Sequence, residues 1–117
     1  MRATALRKST DFDQVFAQGA RLSAAAFSLH YRPNDSSYAR LGLGVSRRVS
    51  RKATRRNRIK RVLRETFRAL VATLPALDIV VVVRPAASEL SNAALRNALL
   101  AALTRIQQRA PSPAGKP

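Results

Sequence analysis

Arg55-Arg56-Asn57-Arg58-Ile59-Lys60-Arg61-Val62-Leu63-Arg64-Glu65-Thr66-Phe67-Arg68-Ala69-Leu70-Val71-Ala72-Thr73-Leu74 is the stretch on which the fold turns. Its apolar residues, Ile59, Val62, Leu63, Phe67, Leu70, Val71 and Leu74, recur at steps of three and four, the stripe of one helix face. At about 100° per residue the opposite side carries Asn57, Arg58, Arg61, Arg64, Glu65 and Arg68. The spacing predicts a helix over 55–74, apolar beneath and cationic above, stopped by Pro75. Glu65 stands four residues after Arg61 and three before Arg68, so an ion pair on the helix surface is expected.

The flanks read as strands. Asp78-Ile79-Val80-Val81-Val82-Val83-Arg84-Pro85 is a β-branched run without polar alternation, the pattern of a strand covered on both faces. Upstream, Leu41, Leu43 and Val45 mark another strand, whose second face shows only Gly42, Gly44 and Ser46. A surface that flat allows close approach to the backbone. Strand, helix, strand is a βαβ unit with a parallel pair. Earlier still, Phe27, Leu29 and Tyr31 alternate along a third strand, Pro33 to Ser37 turns, and residues 21–25 suggest a short additional strand. A first helix is expected over 10–18, capped by Thr10 with Asp13 reaching back, stopped by Gly19, and presenting Phe12, Val15 and Phe16 on one face. Ser91 is placed to cap a last helix over 92–108 with Leu95, Leu99, Leu103 and Ile106 as its core stripe. The chain divides into a single domain, 1–108, and a tail, 109–117, with three prolines in nine residues and the composition of a flexible segment.

A chain of 117 residues that is 46% hydrophobic suits one domain able to bury roughly two-thirds of its unfolded surface. Its charge decides the class of partner. Twenty-two Lys and Arg against six Asp and Glu leave +16, a self-repelling excess that a polyanion relieves. Eleven of the 22 cations lie between Arg47 and Arg68 with one acid among them. A solvated helix face usually mixes signs; this one is kept for a partner. The helix start adds free N–H groups and a positive dipole end. Without cysteine, disulfides and Cys-based metal sites are excluded. Apolar runs such as Ile79 to Val83 are too short to span a bilayer, and Met1 to Lys8 lacks the apolar stretch of a signal peptide, so a cytoplasmic location is expected.

Protein-borne catalysis finds few candidates. Metal-assisted or acid–base phosphodiester cleavage needs clustered carboxylates or paired histidines. The acids are Asp11, Asp13, Asp35, Glu65, Asp78 and Glu89, mostly with local roles, and His30 is the one histidine. Gly42-Leu43-Gly44 lacks the third glycine and following helix of a phosphate loop. No catalytic residue and no protein metal site is expected.

Lys52-Ala53-Thr54-Arg55-Arg56-Asn57-Arg58-Ile59-Lys60-Arg61-Val62-Leu63-Arg64-Glu65, centred on Arg-Asn-Arg, resembles the signature of the bacterial ribonuclease P protein component. The remainder agrees in order over roughly residues 6 to 107: Leu6-Arg7-Lys8 before Asp11-Phe12, then Val15-Phe16 and Gly19; Leu41-Gly42-Leu43-Gly44-Val45-Ser46-Arg47-Arg48; and Asp78 to Pro85. The resemblance implies an α/β (α+β) domain with a mixed sheet of about four strands, three helices and a left-handed βαβ crossover, like domain 2 of ribosomal protein S5. The general rule for such units favours the right hand, so the hand rests on the resemblance alone.

The resemblance also implies a function: the non-catalytic protein subunit of an endoribonuclease, one RNA with one protein, that removes the 5′ leader of precursor tRNA, with the RNA as catalyst. Arg55, Arg56, Asn57, Arg58, Lys60, Arg61, Arg64 and Arg68 would bind the catalytic RNA, with Asn57 alternatively bracing the crossover turn. Phe12, Phe16, His30, Arg47 and Arg48 would line a leader-binding cleft between the first helix and the sheet, Phe12 and Phe16 alternatively serving as core. Members of the family often carry Tyr where this chain has His30. Mg2+ would be held mainly by RNA and substrate phosphates. A different class, a ribosomal-type protein that only stabilises folded rRNA, shares the composition and is separated by leader affinity. A peripheral membrane protein would need the apolar helix face that the core requires.

Overall fold

The computed structural model describes residues 5, 6 and 9–109. Along the chain run α1 (Ser9–Gln18), β1 (Ala20–Ser23), β2 (Phe27–Pro33), β3 (Arg40–Gly44), α2 (Ala53–Leu70), β4 (Leu77–Val83) and α3 (Asn92–Arg109), with short 3-10 turns at Val71–Thr73 and Pro85–Glu89. One mixed sheet has the order β1-β2-β4-β3. β2 is antiparallel to β1 and to β4, while β3 and β4 are parallel, joined through α2.

Register sorts the side chains into two faces. Leu22, Leu29, Ile79 and Leu41 belong to the large core, which also takes Phe27, Tyr31, Val81 and Val83 and is completed by Ile59, Val62, Leu63 and Phe67 of α2 and Leu95, Leu99, Leu103 and Ile106 of α3. Each such side chain contributes roughly 1.5–3 kcal/mol by leaving water. The β-branched run is therefore the central strand, flanked on both edges and both faces. Thr66, the one polar residue in the buried stripe of α2, donates its hydroxyl to the Val62 carbonyl at 2.8 Å. On the other face one row reads Arg21, His30, Val80, Gly42 and the next Ser23, Ser28, Val82, Gly44. α1 lies across this face, and Val15 joins Leu6 and Val80 in a small second core.

Several local expectations are corrected. The α-helix of the opening stretch starts at Ala53, with Lys52 extended before it, and stops at Leu70 rather than Leu74. Pro75 has no N–H, and its ring would strike the Val71 carbonyl in a continued helix. The chain tightens into the 3-10 turn, and Leu74, the residue before proline, is extended at ψ 145°. Thr10 does not cap α1, because it lies inside a helix that begins at Ser9. Gly19 ends α1 without a positive φ. What requires glycine there is crowding: a Cβ would stand 2.4 Å from the Val15 carbonyl oxygen and 2.7 Å from that of Tyr31. The Glu65 ion pair does not form; among the described residues the pair within 4 Å joins Arg40 and Asp78. α3 runs one residue further than expected, to Arg109. Ser91 caps it, its hydroxyl accepting from the Ala94 N–H at 3.1 Å. The rest of the tail lies outside the described residues.

Candidate nucleic-acid interface

The basic segment forms a continuous outer surface. Arg55, Asn57, Arg61, Arg64 and Arg68 are exposed, and Arg56, Arg58 and Lys60 half-buried, because the apolar stripe holds the other side of α2 against the sheet and α3. At the head of the helix Arg47, Arg48, Ser50, Arg51 and Arg56 surround an open concavity. The Arg56 guanidinium donates to the Ser50 carbonyl at 2.8 Å, tying the connector to the first turn. Arg58 donates to the Asn92 side-chain carbonyl and so links α2 to the start of α3. Asn57 makes no side-chain hydrogen bond among the described residues, so the connector is braced by Arg56 instead. No side chain caps α2. The Ala53 and Thr54 N–H groups, together with four arginines, make a cationic bowl at a helix start, a geometry suited to phosphate.

The expected cleft residues separate into two groups. Phe12 lies over Gly42, where a Cβ would stand 2.6 Å from its ring, so the close approach that this glycine permits is made by the protein's own aromatic ring. Phe16, one turn on, is 47% exposed and meets His30 edge to face at a centroid distance of 4.7 Å. The His30 Nε2 is 3.1 Å from the Ser28 hydroxyl. Burial first, and the nearby Arg21 charge second, push the His30 pKa below its ordinary 6.5, so the imidazole is neutral at pH 7. Nothing stands within 4 Å of a Cβ built on Gly44, which leaves the sheet open there, one row on from Gly42. Arg47 and Arg48 gather with Arg56 at the head of α2.

Two contacts between elements escaped the sequence reading. Arg84, just past the end of β4, reaches the Ser23 hydroxyl at 3.5 Å, and its buried Nε has no partner among the described residues; only the parity it shares with Val80 and Val82 hinted at the face that α1 covers. Asp78 is buried and accepts from Arg40 Nε and Nη2 and from Asn34 Nδ2, each at 2.8 Å. That bidentate grip raises the Arg40 pKa. Among the described residues no three His, Cys, Asp or Glu converge as a metal site, and no helix is long and apolar enough to cross a membrane.

A small mixed sheet with the aromatic rings of α1 laid on one face and an unneutralised arginine helix on the other defines an RNA-binding α+β domain. A family model described as Ribonuclease P matches residues 1–107, and the chain belongs to that family. It is similar to the ribonuclease P protein component of Thioalkalivibrio sulfidiphilus, 40% identical over 116 residues that cover 99% of this chain and 93% of the relative. Its structure is similar to the RNase P protein of Staphylococcus aureus (TM-score 0.82, 28% identity, 90% of this chain and 95% of that one). It is likewise similar to that of Thermotoga maritima (TM-score 0.78, 38% identity, 86% and 96%). These likenesses favour the ribonuclease P reading over the ribosomal-type alternative.

Proposed function

We propose that this chain is the protein subunit of a ribonuclease P whose RNA performs the cleavage, and that it binds both that RNA and the 5′ leader of precursor tRNA. Beyond family membership, the observation that carries the reading is the α2 surface: eight cationic or amide side chains from Arg55 to Arg68 with no ion pair to the one acid among them. Guanidinium forks bind phosphates bidentately, and the helix start adds free N–H donors. α1 and the sheet supply the second site. Phe16 offers an exposed ring to a leader base, the sheet is open at Gly44 on the same face, and Arg84 supplies a cation at its end. Phe12 and the Gly42 strand form the wall against which the leader would lie.

Mg2+ belongs on RNA and substrate phosphates in this reading, and the protein's charge lowers the repulsion that otherwise demands more of the ion. The cytoplasm is the fitting compartment, with one protein per RNA. Reconstitution tests the whole. Adding the protein to a bacterial ribonuclease P RNA is expected to lower the Mg2+ needed to cleave precursor tRNA at its 5′ end. Efficient cleavage by nucleic-acid-free protein, or no change in Mg2+ demand with RNAs of close relatives, overturns it.

A further inference from the structure

β3 lies at the edge of the sheet, with β4 on one side only. On its open side the Leu41 carbonyl accepts from the Leu6 N–H at 2.9 Å, and Ala5 bridges to Leu41 in parallel. Backbone groups alternate along a strand, so the Leu43 N–H and C=O point to the same side. No hydrogen bond from the described residues reaches them there. Between this edge and α2 lies a slot of about 170 Å3. Leu6, Phe12, Leu43 and Phe67 contribute its apolar walls, and Arg64 and Arg68, both exposed and one helical turn apart, stand among its lining residues. A cavity of about 150 Å3 takes up one aromatic ring, so this half-open slot, polar on its arginine side, has room for one.

We propose that this slot receives the flipped-out base of one unpaired nucleotide of the RNA subunit, with its neighbouring phosphates on Arg64 and Arg68. The inference rests on the functional reading above and adds a site to it. Every base has a π-face, and the half-buried ring of Phe12 offers it a stacking partner largely irrespective of sequence. The N–H and C=O of Leu43, unbonded on this side among the described residues, lie side by side, a donor and an acceptor for the edge of an inserted base. Arg64 and Arg68 continue the cationic stripe of Lys60 and Arg61, which assigns the nucleotide to the RNA docked on α2. The leader groove opens on the other face of the sheet, with Phe12 between the two.

Plugging the slot while keeping both arginines tests this. Leu43→Phe fills it from the strand, and Ala5→Phe, at an exposed position, fills it from the bridging segment. Each variant that retains the wild-type unfolding transition is expected to bind the RNA subunit about tenfold more weakly, with an unchanged salt slope, since no phosphate contact is removed. Chemical probing of the complex is expected to show one unpaired base protected by the wild-type protein and released by the plugged variants. Wild-type affinity with an unchanged probing pattern overturns the slot, and so does a loss confined to leader-bearing precursor. Failure of the wild-type protein itself to bind the RNA subunit instead overturns the functional reading.

Discussion

At the start of β3, Arg40 is locked in two hydrogen bonds to a buried carboxylate that Asn34 also holds. Along α2, Arg61, Arg64 and Arg68 carry the same guanidinium into solvent, and the one acid of their helix pairs with none of them. The first charge is committed to the fold: it neutralises Asp78, which would otherwise be an anion stranded beside the central strand. The others do nothing for the isolated domain except repel one another. Burial decides the difference. A carboxylate 6% exposed requires its partner, whereas an arginine on the outer face of an amphipathic helix is stable in water and remains available for phosphate. Surface cations left unpaired in this number are the physical mark of an interface.

The sharpest way to break this contrast is Asp78→Ala. Removing one partner of a buried pair costs about 3–5 kcal/mol; Arg40, 28% exposed, can recover some hydration, so about 2–3 kcal/mol is expected in denaturant unfolding. Arg40→Ala added to it is expected to cost much less than the two single changes summed, because the residues form one unit. RNA affinity of the folded fraction is expected to be unaltered. A loss below about 0.5 kcal/mol would place Asp78 outside the stabilising framework.

Arg61→Ala with Arg64→Ala probes the other side. Neither residue has a partner among the described residues, so stability is expected to stay within about 0.5 kcal/mol, while the slope of log affinity against log salt falls by about one per residue and RNA-subunit affinity drops about tenfold. The same double change at Arg56 and Arg58 is expected to lower stability as well, since those two brace the connector and α3. Equal stability effects for both pairs would erase the distinction between bracing and waiting arginines.

Much of this was legible from residue pattern. The apolar stripe of α2 located the core, and the acid-poor outer face marked the exposed cationic surface proposed as the interface, because both follow from periodicity within one element. What periodicity cannot carry is contact between elements. Asp78 looked like the leading residue of a strand, and only the β3–β4 and β2–β4 registers bring Arg40 and Asn34 to it. Arg84 is the same case, read as a strand end until the sheet placed it beside Ser23. Glu65 failed in the opposite direction: local spacing allowed an ion pair, but an exposed pair gains too little against side-chain entropy to be a dependable expectation. Gly19 was read as a conformational stop, yet its reason is the carbonyl of Tyr31, twelve residues on.

α1 repeats the contrast with aromatic rings. Phe12 covers Gly42 and belongs in part to the small core, while Phe16 stays exposed. Phe16→Ala is expected to leave stability within about 0.5 kcal/mol and to weaken binding of leader-bearing precursor by about 1 kcal/mol relative to mature tRNA. Phe12→Ala is expected to lower the unfolding midpoint as well. A stability loss at Phe16 equal to that at Phe12 would assign both rings to the core.

His30 stands between the two categories, packed against Phe16 and bonded to Ser28 but within reach of solvent, and it gives the smallest effect. Its burial first, and the charge of Arg21 opposite it on β1 second, hold its pKa below 6.5 in the folded protein. Above pH 6.5 both folded and unfolded chains carry a neutral imidazole. As pH falls from 6.5 toward the depressed folded value, the unfolded chain takes up a proton that the folded one does not, so stability declines through that window and levels off beneath it. His30→Phe is expected to remove this decline while keeping a ring beside Phe16. A bound leader brings phosphates toward the same imidazole and raises its pKa, so precursor binding is expected to take up a fraction of a proton near pH 6 in the wild type and less in His30→Phe. Identical proton uptake in the two proteins would move the leader away from His30 and leave Phe16 as the ring that meets it.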